Sequence, residues 1–313
     1  MRVLLAGATG ALGRRLVPGL LAAGHDVVGT TRSAEKLATL EGFGAQGVVM
    51  DGLDLGSVET AVGRTEPEIV IHQLTALATA RNLKRFDEEF EQTNRLRTTG
   101  TDHLLTASRT AGVKRFIAQS FTGWPNERTG ERIKDEISPL DPNPTPASAR
   151  TLDAIRYIEQ TVTSATDIEG LALRYGSFYG PGTGLGKGGD VLRMVARRRL
   201  PVVGSGTGVW SFCHIDDAAS ATVAAVTLGT PGVYNIVDDE PSEVAEWLPY
   251  LAAVIGAKRP RRLPVWLARP VIGEHGISMM TQIRGSSNAK AKAALGWSLA
   301  YPSWRQGFRT GLG

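Results

Sequence analysis

The stretch Gly7-Ala8-Thr9-Gly10-Ala11-Leu12-Gly13 decides how the rest of this chain is read. It follows the apolar run Val3-Leu4-Leu5-Ala6 directly, and an amphipathic segment, 11–23, opens inside it. A strand that turns on glycine straight into a helix lets backbone approach whatever sits at the turn, because no Cβ stands in the way. The helix start adds free N–H groups and a partial positive charge, which suit a phosphate or pyrophosphate. A glycine pattern alone is weak. Here the strand before it, the helix after it and its place near the chain start agree on a dinucleotide turn, with Gly7, Thr9, Gly10, Ala11, Leu12 and Gly13 as its binding residues.

Further β-branched runs recur at 27–31, 47–50, 69–72, 116–119 and 171–174, separated by amphipathic stretches at 33–41, 57–64, 86–111 and 147–164. Strand and helix in alternation predict an α/β fold: a Rossmann, doubly wound parallel sheet with a smaller C-terminal substrate-binding lobe. We place an NAD(P)-binding Rossmann domain at 1–173 and the lobe mainly at 174–313, with 209–237 returning to the sheet. Pro125, Pro139, Pro142, Pro144 and Pro146 crowd an irregular loop ahead of the 147–164 helix.

The end of the second strand speaks to cofactor choice. An NAD-selective site wants a carboxylate there for the ribose hydroxyls. This chain has Gly29-Thr30-Thr31-Arg32-Ser33, and Asp26 stands at the wrong end of the strand. Arg32 suits a 2′-phosphate, with Thr31 and Ser33 as donors, so NADP is preferred over NAD. The alternative is that Arg32 stacks on the adenine or faces water.

Bulk properties narrow the partners. Among 313 residues, 35 basic side chains face 31 acidic ones, for a net charge of +4, too small an excess to require nucleic acid. The runs Arg197-Arg198-Arg199 and Lys258-Arg259-Pro260-Arg261-Arg262 read as solvated or phosphate-facing groups. The single cysteine, Cys213, excludes an intramolecular disulfide and a Cys-rich metal site. No His/Asp/Glu spacing converges on a metal. No apolar run reaches the ~20 residues of a membrane span. The N-terminus runs straight into a strand, so a cytoplasmic protein with no membrane partner and a small-molecule substrate is expected.

Taken with the glycine turn, later segments resemble the extended short-chain dehydrogenase/reductases, the NAD-dependent epimerase/dehydratase family. Val49-Met50-Asp51 is similar to the strand that brings an acid to the adenine, and His72-Gln73-Leu74-Thr75 to the strand-four segment along the cofactor. Asn94 matches a helix Asn near the active site, Ser120 an active-site serine, and Leu173-Arg174-Tyr175-Gly176 with Tyr179-Gly180-Pro181-Gly182 the later Arg-bearing strand and turn. Pro201-Val202-Val203-Gly204, His214-Ile215-Asp216-Asp217, Tyr234-Asn235-Ile236 and Leu295-Gly296-Trp297 continue the series in order. The resemblance implies that Asp51, Gln73, Leu74, Thr75, Asn94 and Tyr175 also contact the cofactor. It further implies a homodimer through the helices at 86–111 and 147–164.

One departure matters most. The family's chemistry uses a tyrosine general acid with a lysine four residues later on one helix face. None of the six tyrosines here has lysine at that spacing. Aligned on the downstream helix, the tyrosine position is Ala147 and the lysine position Thr151. Losing a positioned general acid typically costs ~10²–10⁴ in rate. Ser120 and Thr122, at the mouth of the fifth strand, are the candidates closest to a substrate oxygen, but neither titrates near neutrality unaided. Lys134 and Arg150 could supply a cation. His72, Tyr175 and Tyr179 read more readily as interior packing, and His214 precedes acids suited to capping. Trp124, Phe121, Trp210 and Phe212 either line an apolar pocket or fill the core. Three readings stay open. They are an NAD(P)-dependent reductase of a partly apolar carbonyl or alcohol, with an atypical proton donor; an epimerase, isomerase or lyase using nicotinamide transiently; and a non-catalytic NADP-binding regulator.

Overall fold

The computed structural model describes residues 1–77 and 82–313. Seven strands make the central sheet: β1 (Arg2–Ala6), β2 (Asp26–Thr31), β3 (Gln46–Val49), β4 (Ile69–His72), β5 (Arg115–Phe121), β6 (Glu169–Tyr175) and β7 (Gly232–Ile236). All pairs are parallel, in the order β7-β6-β5-β4-β1-β2-β3. The order reverses between β1 and β4, so the crevice beyond their C-terminal ends is where a doubly wound sheet binds ligands.

Side chains that alternate across the pleat explain the layers. Val3 and Leu5 of β1 face a core shared with Leu16, Val17 and Leu20 of the helix Gly13–Ala22 and with Ala218 and Ala221 of Ile215–Ala224. Leu4 and Ala6 face the opposite core, built with Val58 and Val62 of Leu55–Thr65, Leu104 and Leu105 of Thr99–Thr110, and Ile158 and Val162 of Ala149–Thr163. A strand buried on both faces reads as a continuous apolar run, as β1 and β4 do. Each such Leu, Val or Ile contributes roughly 1.5–3 kcal/mol by burial.

Two helices depart from the sequence expectation. The segment 33–41 forms a 3₁₀ turn, Ala34–Lys36, before Leu37–Gly42. The single helix expected at 86–111 is three pieces, Phe86–Glu89, Glu91–Arg97 and Thr99–Thr110. Thr98 leaves helical geometry at ψ −87°, and its hydroxyl donates 3.0 Å back to the Asn94 carbonyl, a local bond that competes with the ladder.

The second lobe packs Trp247, Trp304, Phe212, Phe308 and Tyr179 into its own core. The chain crosses between the lobes more than once. β7 and the helix Ile215–Ala224 belong to the sheet layer, and so do Ala291 and Leu295 of Ala289–Leu295. Among the described residues, no helix is long and apolar enough to cross a membrane, and no group of three metal-ligating side chains gathers.

Candidate active site

At the glycine turn the backbone is crowded enough to dictate residue type. Gly7 has φ +94°, and a Cβ there would lie 2.7 Å from the Gln73 carbonyl oxygen. A Cβ on Gly13 would lie 2.4 Å from the Gly7 oxygen and 2.6 Å from that of Ala8. Gly10 N–H closes the turn on the Gly7 carbonyl at 3.0 Å. The result is a tight backbone cradle at the end of β1, open where a side chain would fill it. That shape fits a pyrophosphate.

At the ends of β2 and β3, Thr31 is buried and its hydroxyl accepts from Ser33 N–H at 3.3 Å. Arg32 is exposed, and its guanidinium has no hydrogen-bond or ion-pair partner among the described residues. Asp26 pairs with Arg2 at 2.8 Å at the far end of the strand. Asp51 is exposed and accepts from Leu53 N–H. Leu74 and Thr75, just past β4, are partly buried. Nearby, Gln73 Oε1 and Asn94 Oδ1 are buried without a partner among the described residues, acceptors left over for a ligand or water.

Tyr175 is interior, the packing position the sequence favoured over a catalytic one. It is 2% exposed in the sheet core, and its hydroxyl is shared with Thr222 at 2.7 Å and Gln73 at 3.0 Å. Burial pushes its phenol far up, so it neither titrates nor reaches a ligand. Tyr179 is likewise interior. His214 caps the helix Ile215–Ala224 itself, its Nδ1 accepting from Asp216 N–H at 3.2 Å, where the acids were expected to do so. Asp217 instead accepts from the Ala300 and Tyr301 amides.

The two hydroxyls placed at the mouth of β5 are both committed inward. Strand alternation sends Gln119 and Phe121 to one face and Ser120 to the other. Gln119 donates to the Leu74 carbonyl at 3.1 Å on the cofactor side. Ser120 Oγ donates 2.6 Å to Glu159, which also holds Arg174 through two contacts of 2.7 Å. Thr122 Oγ1 lies 2.6 Å from Ser286 Oγ and 3.3 Å from Asn126, sealing the proline-rich loop to the second lobe. Lys134 is buried on the Thr129 carbonyl and Glu127, 2.7 and 3.6 Å away. Arg150 reaches Asp87 at 3.6 Å.

Asp87 is the residue sequence reasoning missed. Its buried carboxylate accepts from the amides of Arg150 and Thr151 at 3.0 and 2.8 Å, capping the helix Ala149–Thr163 from outside. It also accepts from the Thr151 hydroxyl at 2.6 Å, and Asn94 Nδ2 donates to that hydroxyl's oxygen at 3.0 Å. Thr151, which the sequence aligns with the family lysine, is thus held against a carboxylate. Ala147, just before the helix, adds nothing titratable.

Two histidines are neutral by burial. His72 is sealed between the Leu96 carbonyl and the Leu74 amide, and burial pulls it down to about 4. His275, wedged against Phe86 and Trp124 at ring distances of 4.2 and 5.1 Å, is also pulled down by burial to about 4. The unfolded chain titrates near 6.5, so it takes up protons between pH 6.5 and 4 that the folded chain refuses. Stability is therefore full above pH 6.5 and declines toward pH 4, by roughly 3 kcal/mol per histidine at the lower end. Urea melts across that range measure it. His275→Phe should flatten the slope, and a pH-independent midpoint would contradict the assignment.

Beyond β6, a cavity of about 750 Å³ opens beside Ser177 and Phe178. Phe86, Phe90, Trp210, Trp247 and Met280 give it an apolar wall. Of the aromatics flagged in the sequence, Trp210 lines it. Phe212 is in the lobe core, and Trp124 and Phe121 pack behind Phe86.

Comparison with known proteins agrees with this architecture. Residues 3–237 match the NAD dependent epimerase/dehydratase family. A Streptomyces protein named 3-diazoavenalumate denitrifying reductase is 45% identical over 313 residues, 98% of this chain and 99% of its own. The Thermus thermophilus UDP-glucose 4-epimerase, solved with NAD, superposes with a TM-score of 0.74 at 25% identity over 100% of this chain and 98% of its own. A human epimerase family protein solved with NADPH shares the fold, with a TM-score of 0.76 at 19% identity over 99% of this chain and 98% of its own. A cradle shaped for a pyrophosphate, a seven-stranded parallel sheet and a reductase relative along its full length converge: this chain belongs to the NAD dependent epimerase/dehydratase family and is an enzyme of its NAD(P)-dependent oxidoreductase/epimerase type.

Proposed function

We propose that this enzyme is an NADPH-dependent reductase whose substrate accepts hydride without a proton from the protein, an aromatic diazonium or diazo compound. One observation carries the reading: the chain holds no Tyr-x-x-x-Lys pair, and Thr151, aligned with the family lysine, is bonded to the carboxylate of Asp87. A carbonyl needs a proton as it receives hydride, and among the described residues of the site no group is suited to supply one near neutrality. A diazonium is already cationic. Hydride on its terminal nitrogen gives Ar–N=N–H, which falls apart to Ar–H and N₂; charge and atoms balance with no acid. With Thr151 aligned to the family's lysine, the nearest charge is the carboxylate of Asp87, which suits a cationic acceptor better than a neutral one. The name of the Streptomyces relative, a diazo compound's denitrifying reductase, supports the same reading.

When bound, the nicotinamide supplies the hydride. The residues of this chain that would hold the dinucleotide are the Gly7–Gly13 turn at the pyrophosphate, Thr31, Arg32 and Ser33 at the adenosine ribose, Asp51 at the adenine, and the segment Gln73-Leu74-Thr75 with Asn94 further along. Arg32 with no acid nearby favours NADP over NAD. Arg32→Ala should raise the KM for NADPH about tenfold, the worth of one charge-assisted bond at an exposed site, and leave NADH nearly unchanged. Equal effects on both would remove Arg32 from the phosphate.

The test is turnover of an arenediazonium-bearing aromatic acid with NADPH. N₂ release should match nicotinamide oxidation one to one, and kcat/KM should lack the limb that a protein acid imposes. Reduction of ketones at comparable rates, or interconversion of UDP-sugars without net oxidation, would overturn the reading. A homodimer through the outer faces of Thr99–Thr110 and Ala149–Thr163 belongs to it. There Tyr157 stands partly exposed, its hydroxyl on Asp102 at 2.7 Å. Sedimentation at the mass of one chain would refute that form.

A further inference from the structure

The cavity beyond β6 carries a charge pattern its apolar walls do not require. Of the three arginines that line it, Arg193 is neutralised by Asp190. Arg197 and Arg199 are exposed, which sets them at the mouth, and their guanidinium groups have no partner among the described residues. Inside, Phe86, Phe90, Phe178, Trp210 and Trp247 face the same space. The buried Trp247 indole N–H also has no acceptor. A volume near 750 Å³ holds a flat ring with a short chain. A sugar nucleotide would set hydroxyls against the aromatic carbon of Phe86, Phe90, Phe178, Trp210 and Trp247, which cannot hydrogen-bond them.

We propose that this cavity selects an aromatic carboxylic acid, its ring among Phe178, Trp210 and Trp247 and its carboxylate on Arg197 and Arg199. The inference deepens the reductase reading and rests on it for the site's purpose, though not for the recognition chemistry. Two guanidinium groups from one turn of chain match the two oxygens of a carboxylate, the pairing arginine makes best. Solvated arginines are common at protein surfaces. What separates these is that they border the aromatic cavity and lack the acidic neighbour that Arg193 has.

The test uses binding, so it does not depend on hydride chemistry. With NADP saturating, cinnamate, its methyl ester and UDP-glucose are titrated by calorimetry and by quenching of tryptophan fluorescence. Cinnamate should bind about tenfold tighter than the ester and displace no NADP, and UDP-glucose should bind more weakly than either. The double variant Arg197→Gln, Arg199→Gln should bind both at the ester's affinity, with an unchanged thermal melt because both side chains are exposed. Equal binding of acid and ester by the wild-type chain, no binding of either, or an acid preference that survives in the double variant would each overturn the proposal. Cinnamate carries no diazo group. Failure here leaves the diazonium reading standing, and failure of diazonium turnover leaves this one.

Discussion

Glu159→Ala is expected to destabilise the folded chain by about 3–5 kcal/mol, the usual consequence of stranding a buried charge. Glu159 sits under the sheet on the helix Ala149–Thr163, with Arg174 on both its oxygens and the Ser120 hydroxyl on one. Both members of the pair are nearly buried, at 8% and 6% side-chain exposure, so water cannot replace the lost partner. A second cation makes matters worse. Arg97 is buried close by, its Nε and Nη1 without hydrogen-bond partners, and burial pulls it down to about 10, with Glu159 the charge that opposes the shift. Removing the carboxylate leaves two buried guanidinium groups without the charge that offsets their burial. Urea denaturation at pH 7.5 gives the number, and Glu159→Gln should lie between the variant and wild type. A loss under about 1 kcal/mol would mean the layer admits water and the pair behaves as a surface one.

Gly13→Ala should abolish measurable dinucleotide binding, a loss of at least about a hundredfold, while the protein remains folded. The added methyl would overlap two backbone carbonyl oxygens, at 2.4 and 2.6 Å, neither of which can swing aside. The helix must retreat from β1, and the cradle's amides go with it. Overpacking of this kind also costs ~1–3 kcal/mol of stability. Gly63→Ala is the matched control. It lies in the helix Leu55–Thr65 with nothing within 4 Å of its added Cβ, so it should stabilise by about 0.4–1 kcal/mol and leave cofactor affinity alone. Calorimetry with NADPH separates them. Wild-type affinity in the Gly13 variant would move the pyrophosphate elsewhere.

Much of the sheet was legible because its signals are local. Six strands were read within two residues of their ends, five of them because a strand buried on both faces is largely apolar, while β3 at the open edge is only partly covered. The breaks at Phe90 and Thr98 were not, because they depend on where hydroxyls and carbonyls meet after packing. In the site, the absence of a tyrosine–lysine pair needed only spacing. The direction of Ser120 was also within reach. Period-two alternation from Gln119 sends it to the far face, away from the position the family resemblance implies. Asp87 and His275 had no such signal. Asp87 meets Thr151 across 64 residues of chain, and His275 arrives beside Thr145 from a helix kinked at Gly273, so only tertiary structure brings them to this segment.

The seventh strand reaches the sheet late. β6 gains its outer neighbour only when residues 232–236 dock, and Ala291 and Leu295 cover that margin later still. Until then a nascent or truncated chain presents a long apolar strand with a free row of amides and carbonyls, a template for self-association. A fragment stopping near residue 174 should accordingly precipitate instead of folding as a miniature nucleotide binder. Synthesis of this enzyme is thus nearly complete before its most adhesive border is hidden.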